Sequence, residues 1–211
     1  MSAQLTIAAK APLAGHVKTR LGRRLGDAAA VELYRAFLDD LAARFPQASW
    51  YVDPLDEWVR AYPRTEAFAQ PPGDWTERQR SFFRGAEARG EEKSVLVASD
   101  SPQLRAEVVA EAFDLLDRHE LVLGPVRDGG YYLIGMRGWH DVLAGVAMST
   151  SSVRDELVRA ARRLGLGIAL LEPTYDVDEL EDLALLERDA SLRDDLPATR
   201  AALAALRQAA A

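Results

Sequence analysis

Hydrophobic positions change period several times along the chain, and each change marks an element. Gln4 to Ala9 (QLTIAA) is a short apolar run followed by Lys10, Pro12 and Gly15, which predicts a buried strand leading into a loop. From Asp27 through Phe45, Val31, Leu33, Tyr34, Phe37, Leu38 and Leu41 recur at helical spacing, with Asp27 as the expected N-cap. Ser49 to Asp53 predicts a second strand, stopped by Pro54. A short helix is expected around Asp56 to Tyr62, and Asp74 caps another that runs to Arg89. Ser94 to Ala98 (SVLVA) is the clearest buried strand. After it, Ser101 and Pro102 predict a cap and first helical position for a helix reaching about Leu116. Leu121 to Gly124 and Tyr131 to Met136 flank an Asp128-Gly129-Gly130 turn and read as an approximate hairpin. A helix from Ser152 to Leu164, a strand from Ile168 to Leu171, and helices from Glu181 to Asp189 and Thr199 to Ala210 complete the pattern. Strands alternating with helices predict an α/β domain with a mostly parallel sheet, whose ligand sites lie at the carboxyl ends of its strands.

Composition narrows the chemistry. With 211 residues, 48% of them hydrophobic, and no internal repeat or linker, one domain spanning 1–211 is expected. The chain has no cysteine, so disulfides, thiolate metal sites and cysteine nucleophiles are excluded, and any metal must take oxygen or imidazole ligands. His16, His119 and His140 share no metal-binding spacing. No apolar run approaches a membrane span, and Lys10 cuts the first one short of a signal-peptide core, so a cytoplasmic protein is expected. A net charge of −7 argues against nucleic acid as a partner. Residues 1–26 nevertheless carry Lys10, Lys18, Arg20, Arg23 and Arg24 with neither Asp nor Glu. Such a basic segment in an acidic protein suits an anion.

Four segments could carry chemistry. The loop from Lys10 to Leu21 follows the first strand and delivers Lys18, Thr19 and Arg20 near a strand end, where a phosphate could bind; the alternative is a solvated basic loop. It is not a Walker A loop, because Val17 stands where glycine must precede the lysine. Asp100 follows the SVLVA strand and suits Mg²⁺, unless it merely belongs to a helix cap. Asp176 and Asp178 could present two carboxylates to one cation from an extended segment, or Asp178 could cap the helix beyond it. Asp128-Gly129-Gly130 could approach a ligand closely, although a turn alone accounts for it.

In order, the APLAGHVKTRL loop, the Leu33–Leu38 helix, SDSP, GPVRDGGYYLIG, the Ser149-Thr150 step and DVDELEDL resemble the DUF2064 proteins. These are regarded as glycosyltransferases of the GT-A fold, related to phospholactate and molybdenum cofactor guanylyltransferases. The resemblance runs from about residue 5 to 187. It implies a three-layer, Rossmann-like nucleotide-diphospho-sugar transferase fold with a mixed, mostly parallel sheet. It also implies Mg²⁺ or Mn²⁺ between nucleotide phosphates and acidic side chains. Lys18 and Asp100 are then the catalytic candidates. Lys10, Gly15, Lys18, Thr19, Arg20, Asp128, Gly129 and Gly130 would contact nucleotide, and Asp100, Asp176 and Asp178 would contact metal. Where these proteins read close to GDLGERM, the chain has Gly73-Asp74-Trp75-Thr76-Glu77-Arg78-Gln79; Trp75 and Thr76 depart, while Arg78 matches and remains a nucleotide candidate. The implied activity is transfer from a nucleotide or nucleotide-sugar donor to a small-molecule acceptor, with the reading leaning to glycosyl transfer. Nucleotidyl transfer with release of pyrophosphate and a non-catalytic nucleotide-binding module are the alternatives.

Overall fold

The structure, a computed structural model, describes residues 2–62, 66–148 and 150–210. Its strands are β1 (Ala3–Lys10), β2 (Ser49–Asp53), β3 (Ala67–Ala69), β4 (Lys93–Ala98), β5 (Leu121–Pro125), β6 (Tyr131–Arg137) and β7 (Ile168–Leu170). They form one sheet in the order β3-β2-β1-β4-β6-β5-β7. Every neighbouring pair is parallel except those made by β6, which runs antiparallel to β4 and β5. The expected hairpin is therefore β5–β6, and the mostly parallel mixed sheet is as the alternating pattern implied.

Period-two alternation sorts the strands' side chains to two faces. Ile7, Ala9, Val95 and Val97 enter one core, while Ala8 and Leu96 enter the other. The first core is covered by α2 (Asp27–Arg44), α4 (Ala106–Leu115), α6 (Asp182–Leu192) and α7 (Pro197–Ala210), through residues such as Phe37, Ala112, Leu186 and Leu203. The second is covered by α3 (Trp75–Ala88) and α5 (Val153–Arg163), through Phe82, Phe83 and Leu157. Helices on both faces make three layers. Buried Asp40 of α2 accepts the backbone N–H groups of Ala198 and Thr199 at 3.0 and 2.8 Å, capping α7 from across the fold. Among the described residues no helix is long and apolar enough to cross a membrane.

Several local expectations need correction. Gly26, at φ +89°, caps α2, and Asp27 is its first helical residue. Ser101 caps no helix: it is wholly buried, its hydroxyl donates to the Tyr175 carbonyl, and α4 begins only after Arg105. A long-range partner for that hydroxyl outcompeted the local one. Two elements escaped the periodicity, namely α1 (Thr19–Leu25), with few apolar positions, and the three-residue strand β3.

The strand order reverses between β1 and β4: the chain moves outward from β1 to β2 and β3, then returns to place β4 on the other side of β1. Such a switch point leaves a crevice beyond the carboxyl ends of the two strands. It is here that Lys10 and Ala98 end their strands and that the basic loop and the Ser99-Asp100-Ser101 segment begin.

Candidate active site

A cleft of about 780 Å³ opens at this switch point. Lys18 occupies its floor. The loop before it is tied down by the Ala11 N–H, which donates to the Asp53 carbonyl at 2.9 Å, and by burial of Ala11 and Val17. Lys18 has φ +47°, the only non-glycine residue among those described with a left-handed backbone, and it caps α1. This conformation turns its side chain inward until only 3% of it is exposed.

The Lys18 ammonium bridges two acids, with Nζ 2.6 Å from Asp100 Oδ1 and 3.1 Å from Asp178 Oδ1. Burial alone would lower its pKa, but the two carboxylates outweigh burial and hold it above the ordinary lysine value. The acids are brought together by backbone pairing: the Val177 N–H donates to the Asp100 carbonyl at 3.0 Å. Asp182 accepts the N–H groups of Asp178 and Glu179 at 2.9 and 2.7 Å, which leaves the Asp178 carboxylate for Lys18. Asp178 therefore caps no helix: α6 begins at Asp182, with Glu181 at its N-cap.

Asp176 lies in the same cleft with its pKa pushed up to about 6 by burial and then by Asp178 and Asp128. A carboxyl group with a raised folded-state pKa binds more protons folded than unfolded between its ordinary value and that figure, so stability falls as pH rises through the window. In EDTA, Asp176→Asn should therefore raise the melting temperature by about 2 °C at pH 8 and leave it unchanged near pH 4, as followed by circular dichroism.

The other predicted residues divide. Lys10, Thr19, Arg20, Arg78, Asp128 and Gly130 line the cleft together with Lys18 and the three acids. Arg20 reaches Glu179 at 3.1 Å and is largely exposed. The Arg78 guanidinium is held by Asp53, by Gln70 Oε1 at 2.9 Å and by the Gly73 carbonyl at 3.1 Å. Arg78 is thus fixed on the cleft wall by its own neighbours. Asp128 Oδ1 accepts the Gly130 N–H at 3.0 Å, closing the turn.

Gly15 and Gly129 do not line the cleft and serve backbone geometry instead, at φ +74° and +98°. A Cβ on Gly129 would stand 2.0 Å from the Ser151 carbonyl oxygen, so this glycine permits close passage of two loops. Gly129→Ala should cost about 3 kcal/mol in urea denaturation, from backbone strain and a clash with main chain together. Ser149 lies outside the described residues.

The three acids do not form a metal cage on their own: among the described residues no three His, Asp or Glu side chains converge tightly enough to hold an ion. The reason is visible in Lys18, which takes the place between Asp100 and Asp178. Their oxygens nevertheless fit a hard cation that uses one or two carboxylates and completes its shell with phosphate and water. Trp75, Tyr131, Met148, Thr150 and Ser151 also line the cleft; the sequence marked Trp75, Tyr131 and Thr150 only within stretches compared with the family and made none of the five a site candidate. Neither an apolar side chain nor a lone hydroxyl in a loop signals a site until the fold gathers them.

The three layers and the antiparallel β6 in an otherwise parallel sheet are those of the nucleotide-diphospho-sugar transferase fold, and the crevice at the β1/β4 switch point is where such sheets take their ligands. The chain belongs to the family DUF2064, uncharacterized proteins conserved in bacteria, whose model matches residues 23–150. It is similar to the crystal structure of a candidate nucleotide-diphospho-sugar transferase from Desulfovibrio desulfuricans G20, with 31% identity, a TM-score of 0.90, and 99% of this chain and 98% of that one covered. More distantly it shares its fold with CMP:2-keto-3-deoxy-manno-octonic acid synthetase complexed with CTP (14% identity, TM-score 0.52, 91% and 98% covered). A cytidylyltransferase from Leptospira borgpetersenii serovar Hardjo-bovis shares it as well (13% identity, TM-score 0.57, 100% and 95% covered). No functionally curated protein matches the chain.

Proposed function

We propose that the protein is a divalent-metal-dependent glycosyltransferase that uses a nucleotide sugar. The observation that carries this reading is the cluster in which Lys18 is held between Asp100 and Asp178 in a cleft lined also by Lys10 and Arg20. The cleft volume, about 780 Å³, has room for a nucleotide sugar and an acceptor together. The 31% identical relative, itself a candidate nucleotide-diphospho-sugar transferase, supports the same donor class.

In this reading the donor diphosphate lies against Lys18, with Arg20 and Lys10 at the rim, and its arrival draws the Lys18 ammonium toward phosphate oxygens. An acceptor hydroxyl oxygen bonds to the anomeric carbon of the sugar. The bond from that carbon to the diphosphate breaks, its electron pair leaves with the nucleoside diphosphate, and the hydroxyl proton passes to water. Lys18 is placed to stabilise the charge that develops on the departing diphosphate. Mg²⁺ or Mn²⁺ held by Asp100 with Asp176 or Asp178 would neutralise further charge on the same phosphates.

The test incubates the protein with uridine, guanosine, adenosine, cytidine or thymidine diphosphate sugars, Mg²⁺ or Mn²⁺ and a small-molecule extract. Nucleoside diphosphate should be released, and the cognate nucleotide at a hundred times its Kd should stabilise the fold by about 2.7 kcal/mol. Pyrophosphate released from a nucleoside triphosphate would replace this reading by nucleotidyl transfer. Binding with neither product would leave a non-catalytic nucleotide module.

A further inference from the structure

The two sides of the cleft differ in charge. Its lysines and arginines are Lys10, Lys18, Arg20 and Arg78, of which Lys18, Arg20 and Arg78 are already paired with acids. The lining residues described between Val126 and Val153 include no Lys, Arg or His, and the single charged one is Asp128. A donor diphosphate would claim the cations on the first side. A second anion on the Val126–Val153 side would then face Asp128 and Asp176, with no Lys, Arg or His of that segment lining the cleft to neutralise it.

This second side is a built surface. Tyr131 and Met148 line it and pack, with Trp75, against one hydrophobic cluster. The Tyr131 hydroxyl donates to Oε1 of Gln79, which has no exposed surface, at 2.7 Å, and lies 3.7 Å from Met148 Sδ. The Thr76 hydroxyl donates to the Val146 carbonyl at 3.0 Å, so two consecutive turns of contact pin the start of α3 to this side. The result is a firmly held aromatic face bordered by the exposed Thr150 and Ser151.

We propose that this face is the acceptor subsite, and that the acceptor is an uncharged hydroxyl compound with a flat apolar ring surface, not a phosphorylated one. Aromatic side chains pack well against such ring faces, the Val126–Val153 side brings no cation for a phosphate, and Arg78, one turn after Trp75 on α3, already has its guanidinium engaged by Asp53, Gln70 and the Gly73 carbonyl. The proposal rests on the nucleotide-sugar reading above and adds the chemical class of the acceptor to it.

The test uses phenyl β-D-glucoside and phenyl phosphate as matched neutral and anionic probes. Binding to the full chain is measured by saturation-transfer NMR, alone and with a nucleoside diphosphate and Mg²⁺. With the nucleotide present, the glucoside should bind at least tenfold more tightly than phenyl phosphate. Trp75→Ala and Tyr131→Ala should each weaken the glucoside about tenfold, with nucleotide affinity unchanged within about twofold. Tyr131→Phe, which keeps the ring, should retain the glucoside and serves if the alanine variants do not fold. Thr150→Lys should strengthen phenyl phosphate about fivefold. Equal or tighter binding of phenyl phosphate by the unmodified protein would overturn the proposal. So would loss of nucleotide affinity in folded Trp75→Ala, since the face would then hold the donor, and so would failure of the glucoside to bind. Glucoside binding without binding of any nucleotide would refute the nucleotide reading while the neutral ring subsite stood.

Discussion

Lys18→Met should lower the affinity for nucleoside diphosphates by about tenfold to a hundredfold in isothermal titration calorimetry. A hydrogen bond from a charged donor contributes about 1.5–3 kcal/mol, and methionine keeps the length and apolar stem of lysine while removing the ammonium. The stem matters, because the Lys18 side chain is 3% exposed and its Nζ lies 6.0 Å from the Phe37 ring centroid. A smaller residue would confuse lost packing with lost charge. Removing the ammonium also leaves Asp100 and Asp178 without their shared partner. Both acids are close to half exposed, at 44% and 42%, so solvent screens much of the penalty, and the ligand-free protein should lose about 1 kcal/mol in urea denaturation. Unchanged affinity would remove Lys18 from the phosphate site and leave it a structural ion pair.

Asp100→Asn should abolish the part of nucleotide stabilisation that depends on Mg²⁺ or Mn²⁺. The amide keeps the shape and loses the charge that a hard cation requires. In a thermal-shift assay the variant should melt at the same temperature with nucleotide whether or not metal is added. The variant should also be slightly less stable without ligands, because Asp100 is the nearer of the two partners of Lys18, at 2.6 Å. Combined with Lys18→Met, the two stability losses should fall short of their sum, since one ion pair cannot be broken twice. Metal-dependent stabilisation that survives in the variant would show Asp100 to be a partner of Lys18 alone.

These expectations differ in how far the linear sequence could support them. The basic loop and the acid after SVLVA were both legible, because in an alternating α/β chain the segments beyond strand ends are where ligands bind. What was illegible was their mutual pairing. Of the three acids expected to share a cation, Asp100 and Asp178 also flank Lys18 in the structure. That lysine lies 160 residues from Asp178, a separation no local pattern can encode. Ser101 misled for a related reason: its spacing before Pro102 fits a helix cap, but its hydroxyl is taken by the carbonyl of Tyr175, 74 residues away. Trp75, Tyr131 and Met148 were hidden because isolated apolar residues read as core until their exposed edges meet in one cleft.

The sequence alone determined the alternation of strands and helices, the β5–β6 hairpin, the absence of thiol chemistry, and the concentration of positive charge near the N-terminus. Each of these depends on residue identity or on spacings of two to four residues, the range over which side chains impose local conformation. Tertiary structure decided the strand order, and with it the switch point that places the end of β1 beside the end of β4. It also decided that Lys18 would be buried between Asp100 and Asp178, and that cations would line one side of the cleft while the Val126–Val153 side received none. Those outcomes depend on which distant surfaces bury one another, because charge pairing and desolvation follow distance in space and carry no periodicity along the chain.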